Sequence, residues 1–195
     1  MALKNRTKQL FADTLIELAK TKEIRDIQVK ELCEHCSAER TTFYYHFRDK
    51  YDLVAWIYMQ LYLDEEKNAV LINGEEMIVR MLKRIWKQRA FFQNALKDTS
   101  QNNLGEYLLD FYIESERKAV CRYLGCDAPD EETEYVIKQY SFGCLAHTVE
   151  WLLGKNDLSP EKFGYYQYKY MPDILKKAWL SEMKQNEKTS FVILQ

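Results

Sequence analysis

Residues Thr41–Lys50 read Thr-Thr-Phe-Tyr-Tyr-His-Phe-Arg-Asp-Lys, and this stretch indicates the fold more strongly than any other part of the chain. Phe43 and Phe47 are four residues apart, so on a helix they share one face and can pack inward. The opposite face of a helix spanning about 40–46 carries donors and flat rings, as a recognition helix presents to the major groove and its phosphates. These residues are Arg40, Thr41, Tyr44 and Tyr45, with His46 at the end.

The residues just before this stretch, Val29–Ala38, have the pattern of the first helix and turn of a helix-turn-helix. Val29, Leu32 and Cys33 recur at the spacing of one buried helical stripe, and a polar turn at 36–38 follows. The two segments together predict a DNA-binding helix-turn-helix. A helical hairpin with an aromatic core and solvated charges is the alternative, because short apolar patterns are ambiguous on periodicity alone.

Asp49 is expected to cap the next helix, which begins at about Lys50, with Asp52 three residues later as a shorter version of the capping-box acid. Lys50 is then unusual, because a cation at a helix N-terminus opposes the macrodipole. Beside exposed backbone N–H groups the same cation would make a good phosphate site. A solvated lysine is the other interpretation.

Residues Lys4–Trp56 resemble the DNA-binding domain of the tetracycline-repressor (TetR) family. Its recognition helix commonly ends in Thr-Phe/Leu-Tyr-x-His-Phe, followed by a Lys that opens a long fourth helix. The resemblance implies an all-α homodimer with an N-terminal three-helix helix-turn-helix DNA-binding domain, residues 1–49. A C-terminal helical bundle, residues 50–195, would bind ligand and dimerise. The implied partners are double-stranded DNA, a second copy of the chain and a small-molecule effector that releases a repressor from a palindromic operator.

Carried over by position, the resemblance assigns the contacts to phosphates, bases and the DNA edge. Phosphates would be held by Thr42, Tyr44 and Lys50, bases would face Arg40, Thr41 and Tyr45, and His46 would lie at the edge. Three positions depart from the family pattern: Ser37 where the turn usually has glycine, Glu39 where serine is frequent, and Gln28 where Thr or Ser commonly caps a helix. Residue 37 is therefore expected to need a positive φ, and Glu39 would repel a nearby phosphate.

The charge distribution is weakly biased toward the proposed DNA-binding end. The first 50 residues hold ten Lys and Arg against eight Asp and Glu, a net of +2, and since the 195-residue chain carries −2, the remainder carries −4. DNA binding would therefore depend on placed contacts more than on bulk attraction. Glu39 and this small bias favour a second interpretation, a coactivator or adaptor of the same fold that works through a protein partner.

The five cysteines are an odd number with no signal segment ahead of them, which favours reduced thiols in a cytoplasmic protein. The longest apolar run, Leu53–Met59, is far too short to span a bilayer, so no membrane is expected. Neither an enzyme, a cofactor nor a metal is expected, because no catalytic triad order, paired acids, Walker loop or zinc spacing stands out. The Cys33-x-x-Cys36 pair is not interpreted as a metal site, because Cys33 is a core position. Cys144 and His147 could share a ligand or metal, but His147 is interpreted as a core histidine.

The rest of the chain has apolar residues at helical spacing almost throughout. The pattern predicts helices over residues 50–68, 75–88, 89–97, 104–124, 131–153 and 160–181. Pro172 is expected to kink or split the last of these, because proline cannot continue the backbone hydrogen bonding.

The helix over 131–153 is the candidate for a twofold interface. Its apolar stripe includes small residues that would let a neighbouring helix approach closely, although an intramolecular core would give the same pattern. The stripe consists of Phe142, Gly143, Ala146, Val149 and Leu153. Aromatic residues inside the bundle could line an effector pocket, with plain core as the alternative. The candidate ligand-binding residues are Phe111, Tyr140, His147 and Trp151.

Overall fold

The computed structural model describes residues 2–67, 74–97 and 103–181, which form helices and turns with no strand among them. The helices are α1 (Ala2–Leu18), α2 (Val29–His35), α3 (Arg40–His46), α4 (Lys50–Lys67), α5 (Gly74–Lys87), α6 (Arg89–Leu96), α7 (Leu104–Leu124), α8 (Glu131–Leu152), α9 (Pro160–Lys169) and α10 (173–181), with a 3-10 turn at Ile24–Asp26. The all-α prediction is confirmed. The predicted helix bounds agree within a residue or two, and residue 68 lies outside the described part.

Pro172 splits the last predicted helix. The segment α9 ends at Lys169, and helical structure resumes at residue 173, with Lys176 N donating to Pro172 O at 3.0 Å. Proline has no N–H to donate, so the break falls where the sequence places it. None of the described helices is both long and apolar enough to cross a membrane.

The chain forms two compact units that are not contiguous in sequence. The first consists of residues 1–60 and 88–107, and the second of 61–87 and 108–195. The segment that contains α6 and the start of α7 therefore belongs with the N-terminal helices. The functional boundary at residue 50, which came from the family resemblance, stays a prediction.

The core of the first unit is built around Phe43, whose side chain is fully buried. The rings of Phe11 and Phe47 lie 5.3 and 5.6 Å from it, and Leu32 of α2 is also fully buried. Aromatic pairs at this separation stabilise a core beyond the area they bury. The four-residue spacing thus fixes which face of α3 points inward and which remains outside.

The core of the second unit contains a stack of three aromatic rings. Trp151 of α8 is fully buried between Trp86 and Phe163, with ring centroids 4.5 and 4.8 Å away. Close packing of α5 against α9 requires glycine at position 164, because a Cβ there would lie 2.7 Å from Val79 Cγ2. Trp151 is therefore a central packing residue of this unit.

Candidate nucleic-acid interface

The outer face of α3 presents the residues that the sequence assigned to DNA. Tyr44 and Tyr45 are 50% and 67% exposed, although both are large aromatic side chains that usually bury part of their surface. Arg40 and Thr41 are also exposed, whereas Thr42 and His46 are half-buried at the edges. Because Phe43 is anchored in the core, this face has a fixed orientation.

The side chains on this face are arranged in two pairs. The guanidinium of Arg40 lies over the Tyr44 ring, 5.8 Å from its centroid, and hydrogen bonding to Tyr44 raises the pKa of Arg40. The rings of Tyr45 and His46 meet edge to face at 5.0 Å. Arg40 thus stays charged, and its planar fork can contact guanine or phosphate bidentately.

The turn between α2 and α3 is held in a strained backbone conformation at Ser37. Its φ is +49°, as the replacement of the usual glycine predicted, and Ala38 N donates to Cys33 O at 2.9 Å. Non-glycine residues adopt this left-handed region at a cost. The strain is localised at the point that sets the angle between the two helices.

The N-termini of α2 and α3 lack side-chain caps. Gln28 and Glu39 occupy the two cap positions without making a cap hydrogen bond. The Glu39 carboxylate instead accepts from Thr41 Oγ1 at 3.2 Å. A carboxylate therefore lies beside Thr41, which the resemblance assigned to base contacts. The departures from the family pattern at Gln28 and Glu39 leave both helices without a side-chain cap.

The start of α4 is capped as the sequence predicted. Asp49 Oδ1 accepts from the backbone N–H groups of Tyr51 and Asp52, at 2.7 and 2.9 Å, and Asp52 Oδ2 accepts from Arg48 N at 2.8 Å. This pattern is similar to a capping box, except that Asp52 bonds the residue before the cap and not the cap residue itself. It fixes the position of Lys50, the first residue of the helix.

The ammonium group of Lys50 is not simply solvated. Its Nζ donates to Ile27 O at 3.0 Å and also to Arg25 O, so it binds the carbonyls at the end of the 3-10 turn. This bonding offsets the unfavourable position of a cation at a helix N-terminus. Lys50 therefore fastens the 3-10 turn to α4 in addition to supplying positive charge.

A groove of about 590 Å³ lies beside the recognition helix. Four of its lining residues are cationic and two are carboxylates, so its charge suits a phosphate chain. The cations are Arg25, Lys30, Arg40 and Lys50, and the carboxylates are Asp26 and Asp49. Arg25 and Lys30 were missed by sequence reasoning, which had only the weak charge excess of the first 50 residues as a signal.

Asn94 of α6 holds the connection between α1 and α2, which sequence reasoning also missed. Its Nδ2 donates to Ala19 O at 3.1 Å and to Lys22 O at 2.8 Å, and its Oδ1 accepts from Ile24 N at 2.9 Å. These three main-chain groups therefore bond to the Asn94 amide, where a helix or sheet would supply other backbone groups as partners. The only signal in the sequence is one asparagine among the apolar residues of a short helix.

Tyr107 of α7 makes a second link of this kind. Its hydroxyl donates to Asp49 Oδ2 at 2.8 Å, and the Arg48 guanidinium lies 4.6 Å from its ring centroid. Burial and then the Asp49 carboxylate raise the pKa of Tyr107, so it remains a hydrogen-bond donor. The cap of α4 is thus bonded on one side to its own helix and on the other to Tyr107.

Replacing Asn94 with alanine is expected to destabilise the first unit by about 1–3 kcal/mol, because it leaves an N–H and two carbonyls without their partner. Hydrogen exchange of the Ile24 amide should report the loss directly. Lys97→Ala is the matched control at the end of the same helix, since it removes only an exposed ion pair with Glu23. Equal protection of Ile24 in both variants would show that Asn94 does not hold the connection.

The apolar stripe on α8 is only partly covered by the described part of the chain. Phe142 and Leu153 are 55% and 36% exposed, Ala146 is exposed, and Gly143 and Val149 are half-buried. A Cβ added at Gly143 would meet nothing within 4 Å. Within the described residues, an intramolecular core does not account for Phe142, Ala146 and Leu153.

The four candidate ligand-binding residues differ in their surroundings. Trp151 is fully buried and donates from Nε1 to Leu158 O at 2.8 Å, and Tyr140 donates from its hydroxyl to Gln167 O at 3.0 Å. His147 is exposed, and Phe111 is half-buried with its ring centroid 6.0 Å from that of Tyr112. The polar atoms of Tyr140 and Trp151 are thus engaged within the protein.

The cysteines near histidines lie in positions that suit packing. Cys33 is buried, which raises its pKa, and Cys36 Sγ donates to Thr14 Oγ1 at 3.2 Å. Cys144 is half-buried, and burial raises its pKa to about 12. His147 on the same helix is exposed, so the interpretation of His147 as a core histidine is wrong. These thiols behave as small apolar groups rather than as reactive thiolates.

The fold and the exposed face of α3 define a helix-turn-helix regulator with a C-terminal helical domain. Residues 73–173 match the TetR family model described as "Transcriptional regulator C-terminal region". The chain belongs to the TetR family of transcriptional regulators. No curated protein matches the sequence significantly.

Two solved structures are similar to this chain. One is described as "Dihydroxyacetone kinase operon activator DhaS", with a TM-score of 0.56 and 17% identity, covering 85% of this chain and 93% of that one. The other is a TetR-family transcriptional regulator from Streptomyces coelicolor, with a TM-score of 0.47 and 12% identity, covering 96% of this chain and 89% of that one. At this identity the likeness to the first structure shows the shared fold.

Proposed function

We propose that this protein is a homodimeric repressor that binds a palindromic DNA operator and is released by a small molecule. The observation that carries the proposal is the exposed α3 face, on which Tyr44 and Tyr45 project from a helix anchored by buried Phe43. Exposed aromatic and guanidinium groups on a rigid helix suit base contacts in the major groove. Because the family consists of transcriptional regulators, we propose that the protein regulates transcription and does not catalyse a reaction. A DNA target also implies a cytoplasmic location.

The basic groove supports the same proposal, because it continues the positive surface from α3 to the start of α4. Arg40 lines the groove and also begins α3, so one side chain can join phosphate contacts to base contacts. Lys50 brings its charge to the groove while it holds the 3-10 turn. Residues 1–49 would supply the DNA contacts, and residues 50–195 the ligand and dimer contacts.

The dimer proposal is supported by the partly uncovered stripe of α8. A helical recognition unit reads one half-site, and a twofold axis through α8 would place two units on a palindrome. The stripe ends in Phe142 and Leu153, which are large apolar residues at the surface. Such residues, clustered with the small residues Gly143 and Ala146, suit the close approach of an identical helix.

Effector control requires that the ligand prefer one conformation of the dimer. A thousandfold change in DNA affinity needs roughly 4 kcal/mol of coupling between the two sites. We place the effector near Phe111, Tyr140, His147 and Trp151. The Tyr140 hydroxyl and the Trp151 N–H already donate to backbone carbonyls, so these two side chains would offer the effector apolar surfaces. The helix α4, whose first residue is Lys50, would transmit the change.

Replacing Tyr45 with alanine is expected to relax sequence preference by about 1–3 kcal/mol, or some 5- to 150-fold in discrimination between duplexes. Duplexes selected from a randomised pool with the purified protein provide the preferred sequence. Fluorescence anisotropy then compares it with a scrambled duplex at fixed salt. Tyr123→Ala, an exposed tyrosine at the end of α7, is the control and should leave discrimination unchanged.

A partner-dependent activator or adaptor is the second candidate. The Glu39 carboxylate beside Thr41 favours it, because a negative charge at the start of the recognition helix opposes phosphate binding. The similar structure of 17% identity is also that of a protein described as an operon activator. If the folded dimer fails to select any duplex alone but does so with a protein partner, this candidate replaces the repressor.

A further inference from the structure

Two cysteines meet at the C-terminal end of α7. Cys126 N donates to Cys121 O at 3.1 Å, and Gly125 between them has a φ of +69°. This is the Schellman motif, in which the third-last helical residue and the second residue beyond the cap come into side-chain contact. Apolar residues usually make that contact, whereas here both positions are thiols.

The two thiols of this pair contact each other. Both thiols are half-buried, and burial, followed by the contact with the Cys126 thiol, raises the pKa of Cys121. The positively charged Arg117 lies close to Cys121 and opposes that effect. Gly125 has open space where a side chain would be, so reagents can approach the turn.

The two thiols could be joined by a metal ion or by a disulfide bond. Among the described residues no group of three or more potential metal ligands occurs, which disfavours a zinc site of the usual four-ligand kind. Two neighbouring thiols suit a disulfide, which needs a second sulfur within reach and in a suitable orientation. The side-chain contact at this motif supplies that second sulfur.

We propose that Cys121 and Cys126 form a modification site that closes into an intramolecular disulfide by exchange with a low-molecular-weight disulfide. One protein thiolate attacks the small disulfide, forming a mixed disulfide and releasing one small thiolate. The second protein thiolate displaces the other small thiolate. Two protein thiols are oxidised, the small disulfide is reduced to two thiols, and both protein protons are transferred to the released thiolates.

The disulfide would tie the last turn of α7 to the chain that leads to α8. The closed loop contains Tyr123 and Leu124, two exposed apolar residues. The site thereby links the redox state of the surroundings to a surface of the second unit. It lies apart in sequence from the recognition helix, and its chemistry does not depend on DNA binding.

Treatment of the full-length protein with oxidised glutathione, followed by blocking of free thiols and trypsin digestion without reduction, tests this proposal. Trypsin cleaves after Arg122, so the disulfide would join peptides 119–122 and 123–138. We expect this linked pair to become the major form as oxidised glutathione increases. Peptide 31–40, which holds buried Cys33 and half-buried Cys36, whose thiol donates to Thr14 Oγ1, should stay reduced and is the internal control.

Two variants separate the expected pathway from unspecific oxidation. Cys126→Ser should leave a stable glutathione adduct on Cys121, because the resolving thiol is absent. Cys144→Ser should form the linked pair as the unmodified protein does, because Cys144 lies on α8 outside the Cys121–Cys126 turn. Separate glutathione adducts on Cys121 and Cys126 of the unmodified protein, with no linked pair, would overturn the proposal.

Discussion

Replacing Trp151 with alanine is expected to lower the free energy of unfolding of the second unit by about 3–5 kcal/mol. The indole is fully buried, stacks on Trp86 and Phe163, and donates its N–H to Leu158 O. Its removal leaves a cavity between α5, α8 and α9 that their backbones cannot close, because α5 and α9 already touch at Gly164. Guanidinium unfolding followed by circular dichroism measures the loss.

Two further variants define the cause of this loss. Trp151→Phe keeps a ring in the stack and loses mainly the hydrogen bond, so a smaller cost of about 1–2 kcal/mol is expected. Glu150→Ala, at an exposed neighbouring position, should change stability by less than about 0.5 kcal/mol. A Trp151→Ala protein as stable as Glu150→Ala would contradict the packing described for this unit.

The burial of Trp151 also affects how an effector site can be tested. A change of ligand binding in Trp151→Ala would reflect lost packing as much as a lost contact. His147 is exposed, so its replacement by alanine changes the surface without opening the core. Of the four candidate residues, His147 is therefore the position at which a ligand contact can be separated from stability.

Replacing Ala146 with arginine is expected to weaken dimerisation by about 3–5 kcal/mol, which is a factor of more than a hundred in the dissociation constant. The position is exposed in the single chain, so the monomer can fold with arginine there. In a twofold dimer through α8, both copies would bury an unpaired guanidinium at the helix contact. Sedimentation velocity over a range of concentrations should then show monomer.

The same substitution at Ala128 is the matched control. Ala128 is exposed in the connection between α7 and α8, outside the apolar stripe. Ala128→Arg should therefore sediment as the unmodified protein does. If Ala146→Arg dimerises with unchanged strength, α8 does not form the twofold contact, and the exposed part of the stripe must have another partner.

The sequence predicted the parts of the structure that rest on local patterns. Helix periodicity located α7 within its observed bounds, the Asp49 cap is present, and the missing glycine of the turn appears as the positive φ of Ser37. Each of these follows from residues that are close in sequence. Local spacing also separates the inward Phe43 from the outward Tyr44 and Tyr45.

The features that the sequence did not reveal depend on residues distant along the chain. Asn94 lies 70 residues from Ile24, and Tyr107 lies 58 residues from Asp49. No periodicity encodes such a pairing, because each partner looks like an ordinary polar residue in its own helix. The stacking of Trp151 on Trp86 and Phe163 likewise joins residues of different helices, so spacing along the chain does not encode it.

The return of residues 88–107 to the N-terminal unit has a consequence for building hybrid regulators. Suppose that residues 1–49 were fused to the remainder of another regulator. Asp49 would then lose its hydrogen bond from the Tyr107 hydroxyl, and Ile24 N would lose its acceptor on Asn94. The side chains of the other regulator at the positions that correspond to 94 and 107 would take the place of Asn94 and Tyr107. To transfer the DNA-binding unit of this protein to another regulator, both of its stretches of sequence, 1–60 and 88–107, must therefore be transferred together.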